Sequence, residues 1–199
     1  MTVSSTAGYA AAADSLARQY ESVTFEEVHA PVLHLLPAGG RALDIGAGTG
    51  RDAAALADRG FAVTAVEPTA ELRAHGARLH AEKAITWIDD GLPDLPMLAA
   101  ATGQFDLILL TAVWMHLDAG ERSRAMARVA AHLAPGGRLF MTLRHGPVPD
   151  GRRMFDVSGD ETIALARTNG LTCLLNEARA DMFGRDGVSW TVLGLERAG

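Results

Sequence analysis

The chain has 199 residues, 48% hydrophobic and 21% charged, and 18 basic against 24 acidic residues leave a formal net charge of −6. That length builds about one domain, and the composition is that of an ordinary globule, which excludes disordered and collagen-like classes. An acidic balance offers no general counter-charge to a phosphate backbone, so nucleic acid is not expected as a partner. The single cysteine, Cys173, excludes an internal disulfide and a thiolate zinc site. The opening MTVSSTAGYAAAADSLARQY lacks a basic start and is interrupted by Asp14 and Arg18. Neither a secretion signal nor a membrane span is expected, and the chain reads as cytoplasmic.

From Ala7 to Leu36 the apolar residues Leu16, Tyr20, Phe25, Val28, Val32 and Leu35 recur mainly at intervals of three to five, which predicts a helical N-terminal cap over residues 1–37. Pro37-Ala38-Gly39-Gly40 ends it. Short apolar runs then alternate with helical stretches, the pattern of βα units winding a parallel sheet. Arg41–Ile45 reads as the first strand, Asp52–Arg59 as a helix and Phe61–Val66 as the second strand. Ala70–Glu82 is helical, Ala84–Ile88 is a short third strand, and Phe105–Leu110 (FDLILL) is a fourth, apolar enough to be covered on both faces. Ala119–Leu133 is a helix with Met126, Val129 and Leu133 inward, closed by Pro135-Gly136-Gly137 before a fifth strand, Arg138–Leu143. A polar loop over Arg144–Asp156 leads to a helix around Asp160–Asn169. Leu171–Ala178 and Val188–Glu196 are then expected to pair as a hairpin through MFGRDG. The fold expected is α/β, a Rossmann-like doubly wound sheet of about seven strands with a C-terminal antiparallel hairpin. Residues 40–145 form its cofactor core, and 146–199 a substrate loop, helix and hairpin.

Between the first strand and its helix stands Asp44-Ile45-Gly46-Ala47-Gly48-Thr49-Gly50. This first βα turn is where a doubly wound sheet binds a nucleotide-like ligand, and alternating glycines let the ligand approach bare backbone. A dinucleotide fingerprint, G-x-G-x-x-G, requires glycine where Arg51 stands, so that fingerprint fails. The only lysine, Lys83, has Leu79 four residues before it, so the Tyr-x-x-x-Lys pair of short-chain dehydrogenases is also missing.

ALDIGAGTGRDAAALADRG resembles motif I of the class I S-adenosylmethionine-dependent methyltransferases, and three further segments match in order over residues 40–145. The resemblance implies that Glu67, in FAVTAVEP with Pro68 after it, accepts from the ribose hydroxyls. It implies that an acid of the pair Asp89 and Asp90, before Gly91 in WIDDGLPDL, accepts from the adenine amino group, with Asp90 favoured. FDLILLTAVWMHL and LAPGGRLFMTLR resemble the fourth strand and the fifth. Carboxylates are acceptor-only at neutral pH and suit hydroxyls, an amine and a sulfonium, which carries no pyrophosphate. The resemblance also implies that the ammonium of the methionine end meets main-chain carbonyls near Gly46 and after the fourth strand, near Thr111. Arg51, or Tyr20 and Arg18 from the cap, are the candidates for its carboxylate. Each acid also has a structural alternative: Asp44 fixing the glycine loop through amides, Glu67 capping the next helix, Asp89 and Asp90 starting a turn.

Methyl transfer is an in-line displacement, which requires mainly that the acceptor be held near the methyl carbon and that water be excluded. The acceptor pocket is expected beyond the fourth and fifth strands, among Thr111, Trp114, Met115, His116, Arg144, His145 and Met154. His116 and His145 are the candidate bases, with a packed neutral histidine as the alternative for His116. Arg144, Arg152 and Arg153 are candidates to bind an anionic acceptor. His29/His34 and His75/His80 are five apart, off a common helix face, so no metal is expected and surface positions are. The (D/N)PP(Y/F) motif of amino-group nucleic-acid methyltransferases is missing where TAVWMHL stands, and Cys173 lies far from the cofactor turn. The reading is therefore a small-molecule methyltransferase, weakly similar to tellurite-resistance-type enzymes, acting on an O, N or S nucleophile and releasing S-adenosylhomocysteine. A non-catalytic regulatory binder of the same cofactor is the alternative. The sequence leaves monomer or homodimer open.

Overall fold

In a computed structural model, which describes residues 5–98 and 103–199, the apolar runs all become strands: β1 (Arg41–Ile45), β2 (Ala62–Val66), β3 (Ile85–Ile88), β4 (Phe105–Thr111), β5 (Leu133–His145), β6 (Leu171–Ala180) and β7 (Ser189–Arg197). They form one sheet in the order β3-β2-β1-β4-β5-β7-β6. The first five are parallel, and β7 runs antiparallel to both β5 and β6. The expected hairpin is present, with its later strand, β7, against the core and β6 at the edge.

Among the described residues, six α-helices flank the sheet: α1 (Ala13–Tyr20), α2 (Phe25–His29), α3 (Arg51–Asp58), α4 (Ala70–Leu79), α5 (Ala119–His132) and α6 (Gly159–Thr168). Period-two alternation sends Leu43, Ile45, Ile108, Leu110, Leu139 and Met141 to one face, where they pack with Met126 and Val129 of α5 and Ile163 of α6. Ala42, Leu107, Leu109 and Phe140 face the other way, toward Phe25 of α2, Val32 and Leu56 of α3. Both faces of β4 are covered, which accounts for its unbroken hydrophobicity.

Most boundaries shift by one or two residues, and three differences are larger. The cap is not one continuous helix, and its residues 1–4 lie outside the described residues. α1 stops at Tyr20, and Thr24 begins α2 with a capping box: its hydroxyl accepts from the Glu27 amide at 3.1 Å, while the Glu27 carboxylate accepts from the Thr24 amide at 2.7 Å. Apolar spacing does not register this break; the Thr-x-x-Glu spacing does. A 3₁₀ segment, Ala30–Leu35, completes the cap. α4 ends at Leu79, three residues early. β5 starts at Leu133, because Leu133 pairs with Phe105 before the register shifts and resumes at Arg138 opposite Leu107. The bulge falls at Pro135-Gly136-Gly137, where Gly136 has φ +73°.

Candidate active site

The carboxyl ends of β1, β2, β4 and β5, roofed by the N-terminal segment and the loops after β5 and β6, enclose a cavity of about 810 Å³. Its floor is the turn after β1. Gly46, Gly48 and Gly50 have φ of +72°, +58° and +81°, values that L side chains rarely adopt. The amides of Gly46 and Ala47 both donate to the Val66 carbonyl, at 2.8 and 3.0 Å, tying the turn to β2. A Cβ on Gly46 would lie 2.5 Å from Val113, and one on Gly48 would lie 3.3 Å from Tyr20. Gly46, Ala47 and Gly48 line the cavity. Gly50 instead holds the left-handed position that starts α3, beneath Trp87.

The acids sort by partner. Glu67, 5% exposed, accepts from the amides of Gly48 at 2.8 Å and Thr69 at 2.7 Å, and burial raises its pKa above the ordinary carboxylate range. One carboxylate thus links the glycine turn to the start of α4 and still faces the cavity with Pro68. Asp44 is buried with Oδ2 unpartnered, and its pKa is raised well above normal, first by burial and then by the charge of Asp52. Asp90 is buried and lines the cavity with Gly91, but its carboxylate accepts from Gly91, Met97 and Leu98 amides at 2.7–2.8 Å. Asp89 lies outside the cavity: its side chain is 68% exposed and pairs with Arg73 at 2.7 Å.

Beside the turn lies a network that residue spacing does not reveal. Asp52 accepts from Arg51 Nε at 2.7 Å, from His29 Nε2 at 2.8 Å and from the Thr111 hydroxyl at 2.9 Å. Although it is buried, the charges of His29 and Arg51 hold its carboxyl far below the usual range. Arg51 also reaches the Tyr20 carbonyl at 3.2 Å, and Arg51, Tyr20 and Thr111 all line the cavity. His29, expected at the surface, is 1% exposed; Phe25, 4.6 Å away ring to ring, covers it. His34 is exposed, and Arg18 is exposed outside the cavity.

At the opposite end, His116 is 6% exposed and fixed from both sides. Nδ1 lies 2.7 Å from the Arg153 carbonyl, which only accepts, so Nδ1 carries the proton and Nε2 accepts from the Tyr9 hydroxyl at 2.8 Å. Burial, then the Arg152, Arg153 and Arg144 charges, push the His116 pKa below its ordinary value, whereas burial raises that of Tyr9. Arg153 pairs in turn with Asp118 and Glu121 at the start of α5. Arg152 lies over the Tyr9 ring at 3.6 Å. Tyr9, His116, Met115, Arg144, Arg152 and Met154 line the cavity. His145 does not: successive residues of a strand point to opposite faces, so with Arg144 inward His145 turns away and bonds Thr191 at 2.8 Å. Trp114 is fully buried in the core rather than in the cavity. Tyr9, Asp52 and His29 are the cavity and network residues that sequence reasoning missed. Among the described residues, no group of three His, Cys, Asp or Glu is placed to hold a metal, and no helix is long and apolar enough to cross a membrane.

A glycine turn beneath buried acids at a sheet's carboxyl edge, with an antiparallel seventh strand inserted beside the fifth, defines a Rossmann-like methyltransferase fold. A family described as a methyltransferase domain matches residues 16–174, and the chain belongs to that family. A ubiquinone biosynthesis O-methyltransferase of Xanthomonas oryzae is 37% identical over 113 residues, 55% of this chain and 46% of that protein. The chain thus spans about half the length of the curated relatives it matches. Among solved structures, a TehB-like SAM-dependent methyltransferase from Corynebacterium glutamicum superposes with TM-score 0.69 and 19% identity, over 94% of this chain and 98% of that one. A 1,6-didemethyltoxoflavin N1-methyltransferase from Burkholderia thailandensis, bound to its acceptor and S-adenosylhomocysteine, gives 0.68 and 21%, over 94% and 89%.

Proposed function

We propose that this chain is a cytoplasmic S-adenosylmethionine-dependent methyltransferase acting on a small-molecule O, N or S nucleophile. The observation that carries the reading is a single cavity with the glycine turn and its acids at one end and the Tyr9–His116 pair at the other. The residues fit the cofactor. The unpartnered Asp44 Oδ2 suits a cationic group, Glu67 retains lone pairs for ribose hydroxyls, and a Cβ at Gly46 or Gly48 would intrude on the cradle. Arg51 supplies a cation for the methionine carboxylate, and Asp90 shapes the adenine end through the amides it fixes.

When bound, the cofactor supplies a methyl carbon on a sulfonium, open to in-line displacement. The Arg153 carbonyl holds His116 in the tautomer whose Nε2 accepts, and burial, with the neighbouring guanidiniums, favours its neutral form. As the acceptor's oxygen, nitrogen or sulfur attacks, Tyr9 Oη receives its proton and passes its own to His116 Nε2. The cap roofs the reaction with Tyr9 and Tyr20 and excludes water. Calorimetric titration with S-adenosylmethionine, followed by a S-adenosylhomocysteine-release screen over phenols, carboxylates, amines, thiols and oxyanions, tests the reading. Absence of binding overturns it; binding without release from any acceptor makes the chain a regulatory binder instead.

A further inference from the structure

Of the arginines lining the cavity, Arg51 pairs with Asp52 and Arg185 with Asp181, and Arg179 donates to the Val28 carbonyl. Arg144 also donates to a carbonyl, from Nη1 to Pro147 at 2.9 Å. Arg144 and Arg152 differ from the others in two respects: among the described residues, neither has a carboxylate in ion-pair range, and each keeps a buried guanidinium nitrogen, Nε of Arg144 and Nη1 of Arg152, without an acceptor. A buried donor left unpaired is costly, and two in one wall mark a place short of an anion. The nearby Asp181 does not fill it: its carboxylate is taken by Arg185 at 2.6 Å and by the Trp190 indole N–H at 2.9 Å. Apolar side chains also border this wall. Met154 touches Arg144 through its sulfur at 3.9 Å, and Trp190 stands directly across from Arg144 in the β5–β7 ladder. Arg152 covers the Tyr9 ring, so the cationic wall adjoins the hydroxyl that receives the acceptor's proton.

We propose that the acceptor is a planar ring bearing an oxyanion, with the oxyanion gripped by Arg144 and Arg152, the ring against Met154 and Trp190, and the nucleophile at Tyr9. Guanidinium matches the planar fork of a carboxylate and binds a phosphate monoester equally well, so the shared chemistry is the oxyanion. The inference rests on the methyltransferase reading and narrows it. Burial and then the charge of Arg185 lower the Arg144 pKa, which agrees with a site that an anion would relax.

The test is calorimetry on the full chain saturated with S-adenosylhomocysteine, titrated with hydroxybenzoate, hydroxyphenyl phosphate and the neutral hydroxybenzyl alcohol. Either oxyanion is expected to bind at least about 10-fold tighter than the alcohol, with the preference shrinking at high salt. Whichever of the two binds tighter identifies the oxyanion. Arg144→Gln and Arg152→Gln are each expected to remove most of that preference, and Arg144→Lys to restore part of it, while affinity for S-adenosylhomocysteine stays constant. Because Arg152→Gln also unstacks Tyr9, the Arg144 variants decide the matter alone if that protein is unstable. Equal affinity for acid and alcohol, no detectable binding of either oxyanion at millimolar concentration, or a preference intact in the double variant overturns the inference alone. Failure to bind S-adenosylhomocysteine overturns the methyltransferase reading, and this inference with it.

Discussion

The two ends of the cavity are built on opposite plans. At the cofactor end Asp44, Glu67 and Asp90 are buried carboxylates at or just beyond strand ends, and Glu67 and Asp90 are anchored by backbone amides one to eight residues along the chain and, for Glu67, by the Gly48 amide 19 residues before it, on the neighbouring strand's turn. At the acceptor end the charges are guanidiniums, and the groups that meet there come from far apart: Tyr9 and His116 are 107 residues apart in sequence. The first end is made by local strand–turn–helix geometry, and the second only by tertiary assembly. On the proposed reading, a cationic donor and an anionic acceptor would thereby be sorted to opposite ends, which favours one orientation of encounter between them.

The largest effect tests whether chemistry belongs to the acceptor end alone. Tyr9→Phe and His116→Gln are each expected to lower kcat by about 10²–10⁴-fold, the range for loss of a positioned proton acceptor. Cofactor affinity measured by calorimetry should stay put; a matching loss there would merge the two ends into one unit. The same pair predicts an acid limb. Because the His116 pKa is lowered, Nε2 remains free as pH falls through the ordinary histidine value of about 6.5, and activity drops only below it. In His116→Gln that limb should vanish from the pH–kcat profile.

Next comes the glycine turn. Gly48→Val forces a branched residue to φ +58° and drives its Cβ against Tyr20, costing about 1–3 kcal/mol in backbone strain alone. Cofactor binding is expected to fall by roughly one to two orders of magnitude, with circular dichroism as a check on folding. Glu67→Ala loses two charge-assisted amide bonds and, on the proposed reading, the ribose contacts, so cofactor affinity should drop and the fold should lose about 1.5–3 kcal/mol for each amide bond, read as a lower melting temperature. The smallest effect is expected at Asp89: its exposed pair with Arg73 is worth about 0–1 kcal/mol, so Asp89→Ala should leave binding near wild type. Asp90→Ala, which frees three amides, should not. If the neighbours behave alike, the division of the two acids by burial is wrong.

The same contrast governs how much could be read from residues alone. Strand runs such as FDLILL and the turn Asp44–Gly50 declare themselves because their pattern is set by near neighbours, and the sheet, its hairpin and most cofactor-end residues follow from them. Gly50 shares the motif yet serves helix α3, a distinction made by φ and by Trp87 rather than by spacing. Asp89 and Asp90 are identical letters just past the end of β3, told apart only by burial. Tyr9 sits in an alanine-rich stretch with no signal of its own, and nothing in its surroundings points to residue 116. His29 looks like a surface residue until α2 folds over α3 and brings it to Asp52. His145 lost its candidacy to the alternation of β5, which places Arg144 inward.

Tyr9 belongs to the segment that roofs the cavity, together with Ser5, Thr6, Leu16, Gln19 and Tyr20. A displacement of that roof large enough to let a ligand in or out would also part the phenol from the imidazole. On the proposed mechanism the molecule would then be interlocked: with the door ajar the proton acceptor would be dismantled, and stray solvent would meet the reactive methyl without the means to be activated. Turnover and ligand exchange would exclude each other as states of one piece of chain.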